Sequence, residues 1–286
     1  MTIRPDATVA RVLLERGRAA GVELVVGERI QAGEVVLCAG TYGSPPILLR
    51  SGIGPAGHLR EVGISVAVDL PGVGENLADH PATEVDSGLR GPGAASGPLL
   101  HSIATWRSSF AAPDGPPDLM TWISDPSAAD PAVWIDAILL KPSSRGAVRL
   151  RSADPADPPR IRLPGLTTDD DLARAEEGLG FLIEVANRPE IRQSASEPPT
   201  ALPKNAAELR RRVIENAYSL PHVVGTCAMG PDPAAGAVVD ADGRVHGVDG
   251  LAVVDASIIP EPPAGFPHLI TIMAAEHLLD RWAAGG

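Results

Sequence analysis

The chain has 286 residues, enough for one large or two ordinary domains with a sizeable core. Its 24 basic and 36 acidic residues give a formal charge of −12, which opposes the phosphate backbone of nucleic acid and an anionic bilayer surface alike. No apolar run is long enough to span a bilayer and residues 1–6 hold no apolar signal core, so the sequence predicts a cytoplasmic protein with no membrane span and no nucleic-acid partner.

The 30 glycines and 29 prolines predict short elements joined by tight loops. Residues 8–15 alternate and are rich in branched side chains, 21–26 and 29–32 follow turns, and 34–38 is a short apolar run. Together they predict a small β-meander feeding a buried strand. The two cysteines, Cys38 and Cys227, lie far apart in apolar stretches and read as buried free thiols. After Ala39-Gly40, Ser44-Pro45 predicts a helix start with Pro45 at the first helical position. A strand, a glycine turn and a helix make half of an α/β unit.

Residues 52–57 match the glycine spacing of a dinucleotide-binding loop, but they follow a predicted helix rather than a strand, and Pro55 interrupts them. A short strand is predicted over 65–69. The segment Gly72-Val-Gly-Glu-Asn-Leu-Ala-Asp79-His80 reads as a turn, with His80 structural. From about 81 to 128 the composition shifts to Ser, Gly, Pro and Ala with weak periodicity, which predicts a domain crossing or mobile loops. Strands follow over 132–140 and 147–151, and helices over 169–187 and 208–218. Asp169-Asp170-Asp171 suits a helix first turn better than a cation site, which needs further oxygen ligands. These elements form an α+β insertion of about 83–220, after which the chain returns to its first domain.

Two histidines stand out in that return. His222 opens Pro221-His222-Val-Val-Gly225-Thr226-Cys227-Ala-Met229-Gly230, and His268 lies in Ala264-Gly265-Phe266-Pro267-His268, just before a helical run over 272–282. A histidine at such a junction can take or lend a proton near neutral pH, although a partly buried core histidine is the commoner case. The strand-like segment 251–259 between them would bring both to one pocket if the chain folds back.

Residues Gly40-Thr-Tyr-Gly-Ser44-Pro45-Pro46-Ile-Leu-Leu-Arg50-Ser-Gly52-Ile-Gly54 resemble the second signature segment of the glucose-methanol-choline (GMC) oxidoreductases. Leu70 to His80, Arg145 to Pro155, His222 to Gly230 and Val254 to Pro260 are similar to that family as well, so the resemblance covers nearly the whole chain. It implies a mixed fold, α/β plus α+β: a GMC-type FAD-binding domain, incomplete here, with an inserted antiparallel-sheet substrate domain. The implied division is 1–82 for part of the FAD-binding domain, 83–220 for the substrate domain, and 221–286 for the return carrying the histidines.

The resemblance also implies FAD as cofactor and oxidation of a small alcohol by hydride transfer. His222 falls on the family's principal active-site histidine, the general base, and His268 on the second member of the pair. Implied FAD contacts are Val9, Ala39, Gly40, Asp255, Ala256, Leu269 and Ile270. Leu269 and Ile270 would turn backbone amides, at the positive end of a helix, toward the flavin edge. There are two departures: Pro267 precedes His268 where a small or polar residue is usual, and no glycine fingerprint stands in a strand-to-helix context. The sequence therefore predicts an enzyme completed by an upstream segment or a separate N-terminal FAD-binding polypeptide, with an inactive fragment or partner-binding subunit as the alternative.

Overall fold

A computed structural model describes residues 1–91, 100–124 and 130–284. The chain opens with β1 (Val9–Glu15), β2 (Arg18–Leu24) and β3 (Arg29–Gln31), an antiparallel sheet in that order. Arg16 and Gly17 both have positive φ, 53° and 80°, the two-residue turn whose twist matches the flanking strands. Next come β4 (Val35–Leu37), α1 (Gly40–Arg50), β5 (Ile53–Gly54), α2 (Ala56–Glu61) and β6 (Val68–Asp69). β5 pairs parallel with β6, and β4 pairs parallel with a late strand, β14 (Leu251–Val253), so the two ends of the sequence share one sheet. Ile47, Leu48 and Leu49 of α1 pack with Leu37, Leu251 and Val253 in the largest core cluster.

The middle of the chain supplies β7 (Ala78–Arg90), β8 (Leu100–Trp106), β9 (Leu119–Ser124), β10 (Ala132–Leu139), the small pair β11 (Ala147–Arg149) and β12 (Arg160–Arg162), then α3 (Asp169–Ala186), α4 (Pro189–Ser194), α5 (Ala206–Asn216) and β13 (Tyr218–Val224). Its main sheet is antiparallel with the order β13-β7-β10-β9-β8. Ala175, Leu179, Leu182 and Ile183 of α3 lie on Val85, Ile135 and Ala137 of that sheet, and Val213 of α5 closes the cluster. Thr168 caps α3 by accepting the Asp171 N–H. Asp171, fully buried, accepts from the Ser143 and Ser144 N–H groups and pairs with Arg174 at 2.7 Å. The chain ends in α6 (Pro267–Ala284).

Four expectations need correction. Residues 81–91 and 100–124 are largely sheet rather than mobile loops. β7 is buried on both faces over most of its length, so it carries no polar–apolar alternation to betray it. Residues 92–99 and 125–129, parts of the same predicted crossing, lie outside the described residues. α1 begins at Gly40, not at Ser44, because its cap comes from Asp255, 215 positions away, rather than from a neighbour. Pro45 and Pro46 are therefore inside the helix. Cys38 is exposed, since it follows β4 on an uncovered side of the sheet, whereas Cys227 is buried. The final helix starts five residues before the predicted run.

Candidate active site

His222 sits where β13 departs from its partner. Leu220 pairs with His80 and Val224 with Ala78, so residues 221–223 bulge opposite Asp79 alone. Pro221 has no N–H to give to a ladder, which makes it the sequence cause of the break. Asp79 repairs it. One carboxylate oxygen accepts the His222 N–H at 3.0 Å and the His80 N–H at 2.8 Å, and the other accepts the Ser219 hydroxyl. Burial raises the Asp79 pKa above the usual carboxylate value, against the lowering effect of these donors.

The strand then turns sharply at Gly225, φ 97°, where a Cβ would stand 2.4 Å from the Asn76 carbonyl oxygen. No other residue fits there without moving the Asn76 backbone. Thr41 Oγ1 donates to the Val223 carbonyl, and Thr226 Oγ1 donates to the Thr41 carbonyl at 2.7 Å. That carbonyl is the one Pro45 leaves without its helical N–H, so β13 and α1 are joined through a gap in the helix ladder.

Around the His222 ring, Phe266 packs edge-on at 5.2 Å between centroids, and Trp122 stacks on Phe266 at 5.9 Å. On the other side His80 Nδ1 lies 3.2 Å from His222 Nδ1. His80 is fully buried, and its Nε2 lies 3.1 Å from the Pro263 carbonyl oxygen. Burial lowers the His222 pKa and, with the neighbouring His222, brings that of His80 down to about 4. Both rings are therefore neutral at pH 7, the form in which an imidazole can accept a proton.

The other predicted residues fall into three places. Ala39, Gly40, Asp255 and Ala256 form one turn: Asp255 Oδ2 accepts from the Gly40 N–H at 2.9 Å and the Ser44 hydroxyl at 2.6 Å, and Oδ1 accepts from the Ser257 N–H at 2.8 Å. Gly40 reaches this position with φ 77°. His268, Leu269 and Ile270 form the first turn of α6, whose N–H groups are taken by no side chain among the described residues. Ile270 and Ala256 pack against the same small cluster of Ala78, Val224 and Ile259, which ties this turn to the base of β13. The His268 side chain is exposed and makes no hydrogen bond among the described residues, but Phe266, two positions before it, touches His222. Val9 is apart, half-buried on β1 opposite Leu24.

Sequence reading missed Asp79, Phe266 and the contact of His80 with His222. Pro221, which has no N–H for a ladder, is the local signal that could have found the bulge. A concavity of about 900 Å³ lies among β1, β2 and residues 63–67 and includes none of these residues.

Residues 1–82 and 142–275 match two family models, each described as GMC oxidoreductase. The chain is 34% identical to 5-(hydroxymethyl)furfural oxidase of Methylovorus sp. (strain MP688), over 98% of this chain and 57% of that protein. It is 32% identical to oxygen-dependent choline dehydrogenase of Ectopseudomonas mendocina (strain ymp), over 98% of this chain and 56% of that one. Among solved structures, pyridoxine 4-oxidase from Mesorbium loti superposes with a TM-score of 0.83 at 30% identity, covering 96% of this chain and 57% of that chain. Formate oxidase from Aspergillus oryzae RIB40 gives a TM-score of 0.86 at 25% identity, covering 98% and 60%. The chain spans little more than half the length of these relatives.

Proposed function

This chain belongs to the GMC oxidoreductase family, and from that premise we propose that it carries the substrate side of a flavin-dependent oxidoreductase acting on the CH–OH group of a small alcohol. The division 1–82, 83–220 and 221–286 goes with this reading, the middle part shaping the substrate pocket. The observation that carries it is the His222 ring, neutral, half-buried, held by His80 on a backbone whose N–H Asp79 accepts, and walled by Phe266. Such a ring is poised to take the proton of a hydroxyl, and hydride leaves an alkoxide-like carbon more readily than a neutral alcohol. His268 is proposed as the second donor, steadying the developing oxyanion from the α6 terminus.

The residues present fit an FAD. The N–H groups of Asp255 and Ala256 and those of the first turn of α6 make no side-chain hydrogen bond among the described residues, and Leu269 beside them is 74% exposed. Uncapped amides at a helix start suit an electron-rich ring edge or a phosphate. With Asp255's carboxylate committed to the turn, its backbone and that of Ala39, Gly40 and Ala256 are what remain for contact, while Val9 would meet the adenine end. FAD, when bound, supplies the hydride acceptor.

The face beside that turn is also apolar and open. Val36, Leu269, Ile272 and Met273 are exposed, and β4 pairs in parallel with β14, whose other edge is bridged by residues 243–245. Parallel strands are ordinarily covered on both sides, so we propose that a further βαβ polypeptide segment covers this face and completes the FAD site. The test is to purify the chain with added FAD, alone and with the N-terminal half of a GMC relative, and follow flavin absorbance and its bleaching by a panel of alcohols without oxygen. The reading expects bleaching in the complemented protein, slowed about 10²-fold or more by His222→Ala. Flavin that neither preparation retains, or a variant that bleaches at the parent rate, would sink it.

A further inference from the structure

We propose that His80 is a positioning residue that fixes the tautomer of His222, placing the hydrogen on His222 Nδ1 and leaving Nε2 as the nitrogen that meets a hydroxyl. Its functional value rests on the reading of His222 as a base, but the tautomer itself follows from hydrogen-bond polarity. A carbonyl oxygen only accepts, so the contact of His80 Nε2 with the Pro263 oxygen at 3.1 Å requires a hydrogen on Nε2. A buried imidazole with no carboxylate on its ring carries a single hydrogen, and burial together with the fields of His222 and Lys141 holds His80 neutral against the raising effect of the Pro263 and Leu140 carbonyls. Its Nδ1 therefore presents a lone pair.

Across 3.2 Å from that lone pair stands His222 Nδ1. Two lone pairs at this distance repel, so His222 Nδ1 carries the hydrogen and donates it. His222 is neutral as well, and its single hydrogen is thereby placed, which leaves Nε2 bare. In the opposite assignment His80 would donate through Nδ1 and turn a bare Nε2 onto the Pro263 oxygen. That arrangement loses one hydrogen bond and sets two acceptors against each other in a buried site. Among the described residues nothing bonds His222 Nε2, whereas its backbone N–H is held by Asp79. When Nε2 takes a proton, the Nδ1–H donation to His80 persists, so the ring keeps its place through the step.

The test needs no flavin. Two-bond proton–nitrogen correlation spectra of the 15N-labelled chain report which ring nitrogen of each histidine carries hydrogen, with His222→Gln and His80→Gln assigning the signals. The expected pattern is Nδ1–H with bare Nε2 for His222, and Nε2–H with bare Nδ1 for His80. In His80→Phe, which fills the space without an acceptor, His222 should shift to the Nε2–H form. His80→Gln, whose amide can accept from His222 and donate to Pro263, should retain the parental pattern. An Nε2–H signal for His222 in the parent, which is decisive even if His80→Phe does not fold, would overturn the proposal. So would an unchanged His222 pattern in a folded His80→Phe.

In a flavin-loaded protein, His80→Phe should slow flavin reduction about 10-fold or more with little change in substrate KM, and His80→Gln should restore most of the rate. If the spectra agree but His222→Ala leaves flavin reduction untouched, the base reading fails and the tautomer assignment stands.

Discussion

Helices α3 and α6 each have 18 residues, yet α3 buries eight of them and α6 only Pro267 and Leu278. The difference is not one of composition, for α6 is the more apolar of the two. α3 lies on a five-stranded antiparallel sheet whose inner face it matches, with α5 beside it. α6 meets the largest core cluster through Leu278 and Trp282, is tied to Asp242 by Arg281, and leaves Leu269, Ile272, Met273 and Leu279 in solvent. One region has found its complement within the described chain. The other has the sequence of a packed helix and the surroundings of a surface one, which is the physical basis for proposing a covering segment there.

The contrast can be broken or sharpened by measurement. The largest effect belongs to the closed region: Arg174→Met removes the partner of fully buried Asp171 and should lower unfolding free energy by about 3–5 kcal/mol in urea titrations. A loss below about 1 kcal/mol would mean that the serine donors alone satisfy Asp171. Leu182→Ala, in the α3 interface, should cost roughly 2–5 kcal/mol by the same assay.

Between the regions, His80 titrates at about 4 when folded against an ordinary 6.5, so the unfolded chain binds more protons within that window. The contribution is fully present above pH 6.5 and is lost as pH falls toward 4, to a total of about 3 kcal/mol. Denaturation midpoints of His80→Gln should fall less steeply across that range, and equal slopes would acquit the histidine. Smallest is Met273→Ser, at a 63% exposed position of α6, which should stay within about 0.5 kcal/mol in this chain. A loss of several times that would show that α6 is already covered, for instance by self-association.

Legibility followed the same divide between local and distant causes. α3 was readable because the acidic first turn and the apolar period both lie within it. β7 was not, because burial on both faces removes alternation, and neither was the start of α1, whose capping carboxylate is Asp255. The roles assigned to His222 and His268 came from the family resemblance. The structure adds the neighbours: Asp79 and His80 lie on β7, and a single sequence holds no sign that they face β13 across the bulge. Cys38 was misjudged for a related reason, since an apolar stretch shows what a strand can bury and not whether anything lies over it.

The hydroxyl bridge from Thr226 to the Thr41 carbonyl has a mechanical meaning. A regular helix would satisfy that carbonyl itself and could slide past its neighbour with little penalty. Here the missing rung at Pro45 makes the neighbour part of the ladder, so any axial shift of the helix must drag the bulge carrying His222 with it. An irregularity in one element thus serves as a dowel for the other, and Thr226→Val is the substitution that would let the two slip.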